Sequence, residues 1–395
     1  MLDYYAGNHD ILRNYRYEAN RSNEKTVINY IHKFVEEEIS YTLGNPITYI
    51  SNTGNERELK DINYQLFHWS TTHNQELCRQ LEIFGKAYEL YYVNQNGEFC
   101  GRILNPTDAI AYTDSDGIPQ LFIHFYKKQY DTAQYYDIYY PDHRIEIYKD
   151  NSLVETKSHI FTGVPVSICE MDINQTIFNK IKTLNDNLNR IISDQVNVIS
   201  DYRNAYLVVT GVEVDEQTAL DLKSKGLLNL KGKDSDVHWL MKEMNSEYIE
   251  SMIKEIKDNM YSICNHIDGN EKLQSNTSGV ALRSRLVFLE QRCKTIFDTI
   301  SDTISDRIRF LYQYLSLKNT NYDYKDIILT YSPCVPQDLT SIAQVITQLG
   351  DIISHETALS LLPFVENPVI ELEKIKKEQS EQQSIDLDKV GLIDE

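Results

Sequence analysis

The sequence contains no run close to the roughly 20 apolar residues that a membrane-spanning helix requires, and no charged-then-apolar leader opens it. Cysteine is sparse: Cys78, Cys100, Cys169, Cys264, Cys293 and Cys334 lie far apart and form no CxxC pair. Such spacing argues against a disulfide framework and reads as buried free thiols. Cations are in deficit, with 39 Lys and Arg against 59 Asp and Glu, a formal charge of −20. A chain that clings to nucleic acid needs the opposite balance, because phosphate neutralisation supplies most non-specific affinity. This one either never meets DNA or offers a surface that DNA must pass without sticking.

Catalytic signatures are missing too. The sequence has no GxxxxGK[ST] or GxGxxG phosphate loop, no HExxH and no GxSxG. Ser22-Asn23-Glu24-Lys25 matches SxxK without partner motifs, and reads as a capping-box variant at a helix start. Asp114-Ser115-Asp116-Gly117 opens like a calcium loop but lacks a glutamate at the needed spacing, so a hairpin turn is expected. His68 and His73 stand five apart, share no helical face and complete no metal site. No enzyme, cofactor or metal is expected.

What is present is a folded chain of 395 residues, 41% of them hydrophobic, long enough for two or three domains. Most of its 28 tyrosines precede residue 150, which favours strands and half-wet surfaces in that half. Val27, Ile31, Phe34, Val35 and Ile39 predict a helix over Asn23–Ile39, and Ile47–Ile50 reads as a strand after Gly44-Asn45-Pro46. Asp61–Glu82 reads as helix with Trp69 and Leu77 in the core. From Gly85 to Ser167 the period falls to two, predicting five or six strands with hairpin turns at Asn96-Gly97 and Asp116-Gly117.

Then the character changes. Ile177, Ile181, Leu184, Leu188, Ile191, Val198 and Tyr202 mark a helix of about 28 residues without Gly or Pro. A small mixed segment follows: strand Ala205–Val209, helix Asp215–Ser224, strand Leu227–Leu230 and strand Val237–Met241. A second helix runs Ser246–His266. About ten polar residues, Asp268–Ser278, separate it from a helix of about 35 residues that starts at Gly279, with Asn276, Thr277 or Ser278 as its cap. Ile327–Tyr331 reads as strand, Asp338–Gly350 and Ser354–Leu362 as helices, and Glu371–Gln383 as a charged helix running into a polar tail.

Several stretches, in order along nearly the whole chain, resemble the portal proteins of tailed double-stranded DNA phages, of the siphophage type found with Gram-positive hosts. They are Tyr4-Tyr5-Ala6-Gly7-Asn8-His9-Asp10-Ile11-Leu12, Gly44-Asn45-Pro46-Ile47-Thr48-Tyr49, Ser275-Asn276-Thr277-Ser278-Gly279-Val280-Ala281-Leu282, Ile353-Ser354-His355-Glu356-Thr357-Ala358-Leu359 and Asn367-Pro368-Val369-Ile370-Glu371-Leu372-Glu373. The resemblance implies an α+β portal fold: a β-rich and helical wing, a two-helix stem, a small α/β clip, a long wing helix and a short helical crown. The expected boundaries are 1–174 for the N-terminal wing, 175–204 for the first stem helix, 205–245 for the clip and 246–267 for the second stem helix. A tunnel loop would occupy 268–278, the long helix and a wing strand 279–337, and the crown region with its tail 338–395.

By the same resemblance the protein is a ring, a dodecamer, at one capsid vertex of the virion, assembled in the host cytoplasm. Double-stranded DNA would pass through it, driven in by terminase and later ejected. The major capsid and scaffolding proteins and head-completion adaptors would be further partners, with no membrane. Gly269, Asn270, Lys272, Leu273, Gln274, Ser275 and Asn276 would face DNA, with Gly269 and Gly279 as hinges. Lys180, Arg190, Glu250, Lys254 and Asp258 would meet neighbouring copies in the stem, as a head-to-tail interface. A non-channel helical scaffold or adaptor of a virion, with its heptads paired as a coiled-coil dimer, is the alternative. An enzyme with an unrecognised site is a third.

Overall fold

A computed structural model describes residues 1–16, 18–19, 21–201, 206–210, 236–240, 246–268, 279–333, 339–362, 365, 371–372 and 374–378. The chain divides into two compact units, Met1–Gln274 with Ser284–Pro333, and Ser275–Arg283 with Cys334–Glu395.

In the first unit, short helices α1 (Leu2–Tyr5) and α2 (Ile11–Asn14) precede α3 (Tyr30–Leu43). Asn29 caps α3 by accepting from His32 N–H. The helix expected from Asn23 therefore begins seven residues late, and Ser22 caps nothing. Residues 23–29 are extended because their backbone groups bond to side chains of a later helix, an alternative that local periodicity cannot show. The helix expected over Asp61–Glu82 is likewise two, α4 (Glu56–Leu66) and α5 (His73–Phe84). Between them Ser70 and Thr72 turn their hydroxyls on each other and on the Thr72 amide, competing with helical bonding. Gly85, at φ +74°, closes α5 in the left-handed region by donating to Leu81 C=O.

The β-rich module holds eight strands rather than five or six. β2 (Lys86–Val93) is the centre of an antiparallel sheet between β3 (Phe99–Leu104) and β9 (Val166–Glu170). β4 (Ala109–Thr113), β5 (Pro119–Tyr126), β6 (Tyr135–Tyr139), β7 (Arg144–Lys149) and β8 (Ser152–Ser158) form a five-stranded antiparallel meander. The turns at Gly97 and Gly117 take positive φ as their sequences demand. Tyr88, Leu90, Phe122, Tyr139 and Val166 form the core that the two sheets share. Gly101 is required by packing: a Cβ there would stand 2.4 Å from the Trp69 ring. A separate pair joins β1 (Thr48–Ser51) to β12 (Ile327–Thr330), distant in sequence and antiparallel.

Three further helices follow the module: α6 (Ile177–Asp201), α7 (Ser246–Cys264) and α8 (Gly279–Ser316). Between α6 and α7, β10 (Tyr206–Thr210) pairs antiparallel with β11 (Asp236–Leu240). The helix and strand expected at Asp215–Ser224 and Leu227–Leu230 lie outside the described residues. At 38 residues, α8 is roughly 57 Å long. Its Ile296, Ile300 and Ile304 share one core with α3, α5, α6 and α7, while Ile308, Phe310, Leu311 and Leu315 share another with Tyr91, Phe99 and Phe161.

Between these two cores Arg307, 2% exposed, grips Glu89, 0% exposed, through Nε–Oε1 at 2.9 Å and Nη2–Oε2 at 3.1 Å. His73 Nε2 (2.7 Å) and the Tyr91 hydroxyl (3.0 Å) complete the carboxylate's shell. Burial alone would push Glu89 up, but Arg307 and His73 outweigh it and hold the carboxyl at about 2. In the second unit, α9 (Leu339–Leu349) leads through a 3₁₀ turn to α10 (His355–Ser360), which Ser354 Oγ caps by accepting from Thr357 N–H. The tail expected beyond Gln383 lies outside the described residues.

Replacing Arg307 by Met is expected to destabilise the first unit by about 3–5 kcal/mol, because it strands an ionised Glu89 in the core. Thermal unfolding measures it; a fall in Tm no larger than a surface substitution gives would show that the pair is not the anchor between the cores.

Candidate functional site

The start of α6 and the end of α7 meet in one core, where Ile177, Ile181 and Leu188 pack with Met260, Tyr261 and Cys264. The two helices therefore run antiparallel, and their far ends lead to the β10–β11 pair. Leu184, Ile192, Ile253 and Ile256 extend the contact, half-buried. Most of the apolar stripe read from the sequence is this seam.

Beside the start of α6 and the end of α7, four charged side chains are buried together. Glu38 on α3 and Glu82 on α5 are 0% and 1% exposed. Arg292 on α8 lies between them, with Nε 3.4 Å from Glu38 Oε1 and Nη2 3.2 Å from Glu82 Oε2. Arg292 Nη2 also donates to the Gln175 carbonyl, at 2.9 Å, just before α6. His266, two residues past α7, puts Nδ1 2.8 Å from Glu37 Oε2 and Nε2 3.2 Å from Glu38 Oε1, with its ring stacked on Phe34. One constellation thus ties α3, α5, α7, α8 and the entry to α6.

The protonation states follow from the contacts. Burial raises Glu38, but His266 and Arg292 overcome it and bring the carboxyl below its ordinary value. Glu82 has fewer donors: burial, then the neighbouring Glu38 charge, hold it well above the ordinary range despite Arg292. Burial lowers His266, yet its two carboxylate partners prevail and raise it, so both ring nitrogens donate. Lys180 on α6 is half-buried near this group; burial first, then Arg292, lowers it.

The expected stem contacts fall in different places. Arg190 on α6 and Glu250, Lys254 and Asp258 on α7 are exposed, while Lys180 is half-buried beside the cluster. Lys182 pairs within the chain, with Asp10 at 2.8 Å and Asp186 at 2.7 Å. Gly279 opens α8. Gly269, Asn270, Lys272, Leu273, Gln274, Ser275 and Asn276 lie outside the described residues, as do the cap residues Thr277 and Ser278. Of the cysteines, Cys78, Cys169, Cys264 and Cys293 are buried free thiols as expected; Cys100 is half-exposed, with Sγ 3.5 Å from His68 Nε2. Cys334 is not among the described residues. Among the described residues no group of His, Cys, Asp and Glu is placed to hold a metal ion, and no helix is long and apolar enough to cross a membrane.

Sequence reading passed over Glu38, Glu82, Arg292 and His266. A signal existed for one of them: Glu38 falls on the apolar stripe of Ile31, Phe34, Val35 and Ile39, where a charge needs a buried partner. Nothing local identified which arginine would supply it.

Glu82 and His266 are both raised in the fold, so each stabilises it most below its unfolded-state value, and that contribution is lost as pH rises through the folded value. Thermal stability of the first unit is thus expected to fall from mildly acidic to alkaline pH, and Glu82→Gln to flatten that slope. A slope unchanged in the Gln variant would show that Glu82 carries no stored proton.

A family model, "Phage portal protein, SPP1 Gp6-like", matches residues 1–384. Over 395 residues the chain is also 24% identical to the portal protein of Bacillus phage SPP1, with 91% of this chain and 77% of that protein covered. With the match extending over almost the whole length, the chain belongs to the SPP1 Gp6-like family of phage portal proteins, the structural head–tail connectors of the virion.

Proposed function

We propose that copies of this chain stand around an axial channel as a ring, a dodecamer, through which terminase drives double-stranded DNA and from which DNA is later ejected. The observation that carries this reading is the antiparallel α6–α7 pair, anchored at one end by the Glu38–Glu82–Arg292–His266 cluster and leading at the other to β10–β11. Such a pair is a stem with a clip at its tip. The clip docks terminase and afterwards head-completion proteins, and the wing meets capsid and scaffolding protein during assembly in the host cytoplasm.

Residues 268–278 connect α7 to α8 and, on this reading, form the tunnel loop. Gly269 and Gly279 serve as its hinges; Asn270, Lys272, Leu273, Gln274, Ser275 and Asn276 meet DNA transiently. A net charge of −20 suits a conduit, since every added phosphate contact would have to be broken at each step of translocation. The exposed Arg190, Glu250, Lys254 and Asp258 are placed to pair between neighbouring stems, with Lys180 nearer the wing. Those exposed ion pairs would then weaken with added salt.

The test is the particle itself. Purified protein viewed end-on by negative stain should show rings with a central opening, and native mass should give their subunit number. Compact monomers or dimers would sink the reading and favour the scaffold alternative. Deleting residues 270–276 should leave rings intact and impair DNA packaging; rings that no longer form would place the segment in assembly rather than in the channel.

A further inference from the structure

Beyond Leu188, α6 buries no apolar side chain; the residues it buries there are Asn189, Ser193 and Asn197. With Asn185 and Asp201 they stand four apart on one face of the helix. Against them lies the extended N-terminal segment, antiparallel to the helix and advancing two residues for each helical step of four. Ser22 N–H donates to Asp201 Oδ1 (2.9 Å), Glu24 N–H to Asn197 Oδ1 (2.6 Å) and Thr26 N–H to Ser193 Oγ (2.9 Å). Ile28 N–H donates to Asn189 Oδ1 (2.8 Å) and Tyr30 N–H to Asn185 Oδ1 (3.1 Å). In return Asn197 Nδ2 donates to the Glu24 carbonyl (3.0 Å), Ser193 Oγ to Thr26 (3.5 Å) and Asn185 Nδ2 to Ile28 (3.0 Å).

The match is one of pitch. Four helical residues rise about 6.0 Å and two extended residues about 6.6 Å, so side-chain amides on a helix imitate the edge of a neighbouring strand. The contact reads backbone alone, with the intervening Lys25 and Val27 amides left out of it. His9, fully buried, locks the lower end: Nε2–H donates to the Tyr4 carbonyl at 3.0 Å and Nδ1 accepts from Asn189 Nδ2 at 2.9 Å.

We propose that residues 22–30 are a detachable strap, fastened to the distal half of α6 as one cooperative unit and able to open while the wing core stays folded. Its bonds exchange readily for water, each contributing modestly on balance, whereas α3 beyond Tyr30 is held by Phe34 and Val35 in the main core. Ile28 and Tyr30 also pack, half-buried, against the main core, so opening uncovers those two side chains along with the rail of amides and releases α6 to fray from Asp201 inward. The inference deepens the stem reading by naming which part of the stem is built to loosen, but its test needs no ring.

Hydrogen exchange of the full chain decides it. The Glu24, Thr26 and Ile28 amides should be protected roughly tenfold or more over Lys25 and Val27, a period-two pattern for a segment outside any sheet. In Asn197→Leu, protection at Thr26 and Ile28 should fall together with Glu24, while Phe34 and Val35 keep theirs and trypsin cuts sooner after Arg21 and Lys25. Asn189→Leu should do the same from the other end. A loss confined to the altered rung would overturn the cooperative unit, and a loss that spreads into Phe34 and Val35 would overturn detachability. Rings absent from the wild-type protein, with the strap pattern present, would count against the portal channel and leave the strap standing.

Discussion

A guanidinium held between two carboxylates with almost no solvent is costly to assemble and far costlier to leave incomplete. Arg292 is in that position, between Glu38 and Glu82, where α3, α5, α7, α8 and the entry to α6 meet. An apolar core of the same size would hold α3, α5, α7 and α8 together but would tolerate sliding, because dispersion contacts are non-directional. Charge-assisted hydrogen bonds with defined partners do not. Burial and the neighbouring Glu38 charge hold Glu82 well above the ordinary carboxyl range, which makes the junction sensitive to alkali.

The same division between rigid and releasable runs through the whole first unit. Arg307 and Glu89 couple the two cores along α8 in a bidentate geometry, which adds directional specificity to the pairing. By contrast the far part of α6 is fastened by side-chain amides to an extended segment, and its stability is drawn from bonds that water replaces at little cost.

Periodicity captured what depends on local spacing. The apolar fours and threes of Ile177 to Leu188 and of Ile296 to Ile308 are burial patterns that any partner surface would impose, and both helices lie within a few residues of their expected ends. Hairpins at Asn96-Gly97 and Asp116-Gly117 were legible because positive φ singles out Gly at those corners. Failures came where long-range bonding competed with propensity. Asn23 to Asn29 has helical spacing but spends its amides on Asn197, Ser193 and Asn189, and Asp61–Glu82 breaks where hydroxyls near Ser70 satisfy the chain locally.

By itself, the order of residues determined the class of the protein, its acidity, the two helices that flank the β10–β11 segment and the long helix that follows them. These follow from composition and from periods of two and 3.6, which are properties of a single segment. Tertiary structure alone decided which charges are buried, that Glu82 is pushed up beside Glu38, and that a row of asparagines serves as a rail for the N-terminal backbone. Those outcomes depend on partners more than 40 residues away in sequence, and a desolvated charge or an amide without its own strand has no meaning until the partner arrives.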